Sequence, residues 1–531
     1  MKTIIKLIKA DVPTDQIVKD DRKIHSEPIE GVGTFYYKIS RTATPDWVSK
    51  FFLDRLDCAQ KLKAASAAGV LIVTREYDHV QRTFAVTFGS GRYILRDDIT
   101  EPRFGLRIAL NSIQYDSLRS VDYNKMDGVP SIVRNQVSRL TGIEDFNIDT
   151  QVNLLKSITG TPPDEQQDEI GSSMTGSDSL ALNSSVTVNG ILAKLDQLYR
   201  LYQSEAYKQH FAWVDNIAAI GDHALIGRLD QKLIEQINAR QTENVWMAIP
   251  TIVDWAGIQY FKFSGRGSAE YEDISLDAVL RDKFEDRTDL RVAEFKTERV
   301  KSYDDNDTQL KDWSLYKCLY AEMREGDSLY LFNDGLWYKI EANFYAEVER
   351  AYDSVTAAAI DFVRWRLVER NGKERFELES DYNKRLADSN EDFCDMDCEY
   401  IRPVPGQSKI EFCDVFTKAG QIIHVKRKGG SELLGHMLNQ GRVSGELLLT
   451  EDFRQKLNRQ LNENHYEDWH LPESNNDFRA GQYSIVYAVM SKEDADRPSM
   501  PFFSKVILRD TVKTLRGFGY QVYLNNIRKE I

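Results

Sequence analysis

The sequence predicts a multidomain α+β protein that ends in an α/β region, a mixed sheet flanked by helices. Three observations predict it. At 531 residues the chain exceeds what one hydrophobic core usually covers, so it should divide into several domains. Strand-like and helix-like runs alternate along its length. The ending, "YSIVYAVMS" (483–491) and then "FFSKVILRDTVKTLRGFGYQVYLNNI" (502–527), reads as a strand, a short strand with a helix closing at Gly517 or Gly519, and a strand. That is a βαβ crossover.

Residues 1–156 form the first expected domain, α+β in character. Within it, "GVLIVTREYDHVQRTFAVTFGSGRYIL" (69–95) reads as two or three strands with turns at Tyr77-Asp78 and Gly89-Ser90-Gly91. "FGSGR" lacks both the third glycine of a dinucleotide fingerprint and the Gly-Lys-Ser/Thr of a P-loop, so it reads as a turn, and no nucleotide cofactor is expected. Residues 157–190 are rich in Pro, Gly, Ser and acid and read as an exposed polar loop. A middle α+β domain, 191–342, should then begin with a helix, because Ile191, Leu192, Leu195, Leu198, Tyr199 and Tyr202 recur at helical spacing. In "SLYLFNDGLWYKI" (328–340) an Asn-Asp-Gly turn joins two strand-like runs, the strongest hairpin signal in the chain.

The last region, 343–531, opens with a helix through "YAEVERAYDSVTAAAIDFV". It continues with a helix after Glu377, a strand at "MDCEYI", a hairpin "IEFCDVFTKAGQIIHVKRKGG" (410–430), a helix at "SELLGHMLNQGRVSGELLL" and a further helix to about Leu461. The hairpin carries the chemistry. Its first strand ends in acids, Glu411 and Asp414, and its second holds His424, Lys426, Arg427 and Lys428. The chain as a whole has a net charge of −14, which argues against a protein that coats nucleic acid with its entire surface but allows a local basic groove. Between Gln421 and Val443 four cations, Lys426, Arg427, Lys428 and Arg442, face the single acid Glu432.

Helix, strand, strand, strand, helix, strand resembles the core of the restriction-endonuclease-like nucleases of PD-(D/E)xK type. Their site sets an Asp on one strand and an acid-x-Lys on the next: carboxylates hold a hard divalent cation beside the scissile phosphate, and the lysine orients water and offsets charge. The resemblance implies Asp414 as metal ligand, Lys426 as the water or phosphate residue, and Glu379 on the preceding helix as an outer acid. Gln440 and Arg442 on the following helix, with Arg427 and Lys428, are candidate nucleic-acid contacts. The departure is His424, which stands in the acid slot as a ligand or general base. Mg²⁺ or Mn²⁺ is the expected cofactor; imidazole suits softer divalent ions, so a site using His424 should prefer Mn²⁺, and otherwise Glu379, Asp395, Asp397 or Glu411 would supply the missing carboxylate. A groove that binds DNA without cutting it, and an interaction protein with no nucleic acid at all, stay open. Lys-Arg-Lys at a strand end also blocks edge-to-edge aggregation.

Cys58, Cys318, Cys394, Cys398 and Cys413 show no disulfide framework, and with His424 they lack the Cys-x₂-Cys knuckle of a zinc site. No apolar run approaches the roughly 18 residues of a membrane span, and "MKTIIKLIKADVP" is too short in apolar core for a signal peptide. A cytoplasmic protein with no membrane role is the expectation. Finally, "RTFAVTFGSGRYIL", "KSITGTP", "YKQHFAWVDNI", "SDYNKRLAD", "IHVKRKGGSELLGHMLNQGRVSGELL" and neighbouring stretches from about residue 83 onward resemble a bacterial family of "sporadically distributed" uncharacterised proteins. Its members are often encoded near mobile or phage-defence genes. The resemblance implies a role in defence against foreign DNA and a His in the acid slot as typical of the family. The expected partner is DNA, with a protein partner engaging the amino-terminal or middle region, and a homo-oligomer is a further expectation.

Overall fold

A computed structural model describes residues 2–530 apart from 40–41, 46–47, 49–54, 126–130, 147, 149, 151–152, 243, 254, 266–268, 371–372, 398–399, 402–409 and 429–430. The chain divides into two units, residues 1–124 with 133–214 and residues 125–132 with 215–531. Both mix α and β structure. No helix among the described residues is long and apolar enough to cross a membrane.

The first unit is built on a ten-stranded sheet. Ala67–Tyr77 and Val80–Gly89 pair antiparallel in it, and Asp78 and His79 turn the chain between them at φ 49° and 64°, the left-handed pair that suits strand twist. Period two sorts the side chains. Leu71, Val73, Phe84 and Val86 enter the larger core, while Val70, Ile72 and Ala85 face a smaller one with Ile94 and Leu95. Helix Ile191–Gln203 packs its stripe, Ile191, Leu195, Leu198 and Tyr199, into that larger core, so it belongs to the first unit.

The expected polar loop at 157–190 is corrected. Asn153–Gly160, Ser173–Gly176 and Leu180–Asn183 are strands of the same sheet, with a helix at Asp164–Ile170. Of the apolar residues there, Ile158, Ile170, Met174, Leu180 and Leu182 are buried. Composition averaged over the stretch conceals the strand period.

In the second unit the Asn-Asp-Gly hairpin forms as its sequence implies, with Ser328–Asn333 and Leu336–Ile340 closing over Asp334 and Gly335 at φ 52° and 73°. It lies in a five-stranded antiparallel sheet. The carboxy-terminal region begins with helix Ala342–Asp353, which stops earlier than the alanine-rich sequence suggests. Beyond it the backbone bonds an edge strand instead: Leu524 N–H donates to the Thr356 carbonyl at 3.0 Å, and Trp365 N–H to the Arg528 carbonyl at 2.9 Å. Tertiary hydrogen bonds outweigh local propensity there.

Nine elements frame the rest: α1 (Glu379–Asp388), β1 (Phe393–Asp395), β2 (Val415–Thr417), β3 (Gln421–Arg427), α2 (Ser431–Leu448), α3 (Glu451–Glu463), β4 (Ser484–Ser491), α4 (Phe502–Gly517) and β5 (Gln521–Arg528). The sheet runs β1-β2-β3-β4-β5, antiparallel up to β3 and parallel from β3 to β5. The hairpin turn closes with Gly420 N–H on the Thr417 carbonyl. Gly420 sits at φ +78°, where an added Cβ would also press on Gln482 and Tyr483, so glycine is required. Two local readings change. The first core strand is β1 rather than "MDCEYI", of which only Tyr400–Ile401 is a strand and Cys398 and Glu399 lie outside the described residues. "FFSKV" is the start of α4, buried on every side, since Phe502, Phe503, Ser504, Lys505, Val506, Ile507 and Leu508 are all buried. The crossover itself stands, as β4, α4 and β5.

Layers cover both faces. Ile422, Ile485, Tyr487 and Val489 meet Leu434, Met437, Leu438 and Leu448 of α2, whereas Ile423, Val425, Val486 and Ala488 meet Tyr382 and Leu386 of α1. β3 and β4 are thus buried on both faces, as a parallel strand pair requires. Gly441 lets α2 approach Tyr487: a Cβ there would lie 2.5 Å from the phenol ring.

Candidate functional site

The site forms where the first strand of the hairpin is interrupted. Ile410–Glu411 pairs with Tyr400–Ile401 as a separate two-stranded ribbon, and pairing with β3 resumes at Val415. Asp414 occupies the bend between them. Its backbone is pinned on both sides, donating to the Ile423 carbonyl at 3.0 Å and accepting from Met396 N–H at 2.9 Å. Its carboxylate is gripped as well. Oδ2 accepts the Val425 backbone N–H at 2.7 Å and Oδ1 accepts Asn383 Nδ2 of α1 at 3.1 Å.

Two further acids meet it there. One ligand oxygen each from Asp397, Glu411 and Asp414 lies within 4.8 Å of the others, a group that can hold a metal ion. Three carboxylates and no sulfur or nitrogen suit a hard, oxygen-seeking divalent cation. Burial raises the Asp414 acid well above its ordinary value, and the charges of Glu411, Asp397 and Glu379 push the same way. A cation at this centre therefore competes with a proton for the Asp414 carboxyl. Asp395, whose acid is raised by burial, is not in the group.

The other candidates sort around this centre. Lys426 directs Nζ at Glu379 Oε1, 2.5 Å away, and Arg427 N–H donates to Glu379 Oε2 at 3.3 Å. Glu379 is thus occupied by the end of β3 and stands outside the three-carboxylate group. Burial is the largest single influence on Lys426 and opposes its charge, but the hydrogen bond and charge of Glu379, with the charges of Asp414 and Glu411, together outweigh it and raise the pKa. Gln440 donates to Glu411 Oε2 at 3.4 Å, so it supports a candidate ligand. Arg442 is exposed on α2. The exposed guanidinium of Arg427 rests over the Trp365 ring, 5.3 Å from its centre. Lys428 instead is ion-paired with Glu493 and hydrogen-bonded to Ser499.

His424 does not join the carboxylates. It is 2% exposed, stacked near Tyr487 with its Nε2 unpartnered among the described residues, and burial pushes its pKa down to about 3. This is a neutral packing imidazole, so the sequence argument for a softer ion does not carry over.

The model of a family of unknown function, DUF6119, matches the chain over residues 3–528. The chain belongs to that family. No curated protein and no solved structure matches it. Nearly the whole chain is therefore one family unit, including the first eighty or so residues that the sequence stretches quoted above leave out. Of the members of the centre, Asp397 is one of four acids that sequence offers for the missing ligand, and only the bend at Asp414 singles it out together with Glu411. Asn383 is not found by sequence reasoning. Its signal is a polar residue among the buried positions of α1, beside Tyr382 and near Leu386 and Ala387. Cys58, Cys318, Cys394 and Cys413 are free thiols, and Cys398 lies outside the described residues.

Proposed function

We propose that the carboxy-terminal region is a divalent-metal-dependent, restriction-endonuclease-like domain that hydrolyses DNA, serving defence against phage or plasmid DNA. The observation that carries this reading is the convergence of Asp397, Glu411 and Asp414 beside the charged Lys426. The order α1, β1, β2, β3, α2, β4 supports it, being the order the resemblance to that nuclease core implies. Asp397 and Glu411 fill the role of the acid absent from position 424.

A cation held by the three carboxylates would polarise the phosphate and a water molecule. Lys426 orients that water and offsets charge on the phosphate. The Arg427 guanidinium, exposed and paired with no carboxylate among the described residues, receives a backbone phosphate. Water adds across one ester bond: its oxygen bonds to phosphorus, the P–O bond to the sugar breaks, and the leaving oxygen takes up a proton. The competing reading, a groove that binds DNA without cutting, draws on the Lys426–Glu379 pair, which occupies the lysine.

Purified full-length protein should cleave DNA in Mg²⁺ or Mn²⁺ and stop when EDTA is added. In a salt titration of DNA binding, Arg427→Ala should lower the slope of log K against log salt by about one. Lys428→Ala should hardly change it, because Glu493 already neutralises that cation. Absence of cleavage of any DNA or RNA in either ion leaves the binding reading. Slopes unchanged by both substitutions turn the basic cluster into a solvated strand edge.

A further inference from the structure

We infer that Asn383 is a positioning residue of the metal centre: its side-chain amide fixes the Asp414 carboxylate in the orientation that lets it share a cation with Asp397 and Glu411. This rests on the metal-centre reading above and extends it to a residue on α1.

Asn383 is 0% exposed and stands four residues after Glu379, so the two project from one face of α1. Glu379 holds Lys426 and Arg427 N–H, while Asn383 holds Asp414. One helix face therefore sets both the lysine and the carboxylate.

The grip on Asp414 is two-sided. Val425 N–H reaches Oδ2 at 2.7 Å and Asn383 Nδ2 reaches Oδ1 at 3.1 Å, so the carboxylate plane is defined by donors at both oxygens. One of these donors is backbone and belongs to the sheet. The other depends on the side chain at 383. Glu411, Asp397 and Glu379 all repel the Asp414 charge, and without the amide nothing on the α1 side holds the ionised carboxylate against them.

The arrangement also carries a penalty. Asn383 Oδ1 is buried with no hydrogen-bond partner among the described residues, and the bond to Asp414 is the one side-chain hydrogen bond the amide makes there. An amide left half satisfied in an apolar layer lowers stability, where a leucine of similar size would not. Such exceptions to core packing gather at functional positions.

The test separates metal affinity from stability in the full-length chain. Mn²⁺ binding is measured by electron paramagnetic resonance of the free ion, at a temperature where each protein is folded by circular dichroism, alongside thermal unfolding in EDTA. Asn383→Leu should weaken Mn²⁺ binding by about 10- to 100-fold, the usual effect of losing a residue that orients a ligand, with an unchanged or higher metal-free melting temperature. Asn383→Ala carries the comparison if leucine does not fit: its cavity lowers the melting temperature, yet the same loss of affinity is expected. Wild-type Mn²⁺ affinity in both variants would overturn the inference and make Asn383 a structural residue. A wild-type protein that binds no Mn²⁺ would overturn the centre itself and the inference with it.

Discussion

Replacing Asp414 by asparagine should abolish metal-dependent cleavage, weaken Mn²⁺ binding by at least about 100-fold, and leave the metal-free protein more stable at neutral pH than the wild type. The first two effects follow from removing a charged ligand. The third follows from burial, which raises the Asp414 acid well above its ordinary 3.8, with Glu411, Asp397 and Glu379 adding to the shift. An acid raised in the folded chain holds its proton more tightly there than in the unfolded chain. Its stabilising contribution is complete below the ordinary value and is lost as pH climbs through the folded value. Relative to Asp414→Asn, which has no acid at this position, the wild type should therefore lose metal-free stability as pH rises above about 4. Asparagine also fits the site. If the Asn383 amide turns over, its unpartnered Oδ1 faces the new NH₂ group, and Val425 N–H keeps an oxygen. Thermal melts in EDTA across a pH series check this: the gap between variant and wild type should widen with pH, and a gap independent of pH would contradict the upward shift of the buried carboxyl.

What the sequence reveals about this region depends on how local the determining interactions are. The hairpin at 415–427 is legible because a Gly420 turn and two β-branched runs specify it within a dozen residues. Lys426 and Asp414 follow from that register. The α2 stripe Leu434, Met437, Leu438 and Leu448 is equally legible, since every member faces one core. The centre is less so. Period two pairs Asp414 with Phe412, but the chain bends between Glu411 and Val415, so Phe412 joins the α2 core while Asp414 turns to Asn383 and Val425. Alternation describes a strand and fails where the strand breaks.

Glu379 and His424 miss for a different reason. Both stand at positions that a motif assigns by spacing, and spacing carries no information about what else lies within hydrogen-bonding distance. Glu379 meets Lys426 and Arg427 N–H first, and His424 meets Tyr487 under α2. The stretch at 157–190 and the start of α4 show the same limit in the fold. Polar composition hid strands in one, and an apolar run read as a strand proved to be a helix buried on all sides in the other.

Lys426 decides between cutting and binding, because the two readings give it different work. If it orients water, Lys426→Met should lower kcat by about 10²- to 10³-fold, the scale of removing a preorganised charge from a reacting centre, and change DNA affinity by no more than about threefold, the scale of one partly exposed ion pair. Methionine keeps the length of the stem in its half-buried slot. Glu379 then retains only Arg427 N–H, which it tolerates because its carboxylate is partly exposed. Mn²⁺ affinity should rise, since the variant removes a cation whose charge is felt at Asp414 and Glu411. If Lys426 only binds DNA, Lys426→Met should instead weaken DNA binding about as much as Arg427→Ala and flatten its salt dependence. Glu379→Gln separates the lysine's charge from its placement: the amide oxygen still accepts from Nζ, so cleavage should survive in part, while loss equal to that of Lys426→Met would mean that the ion pair itself, and not the lysine's access to water, sustains the site.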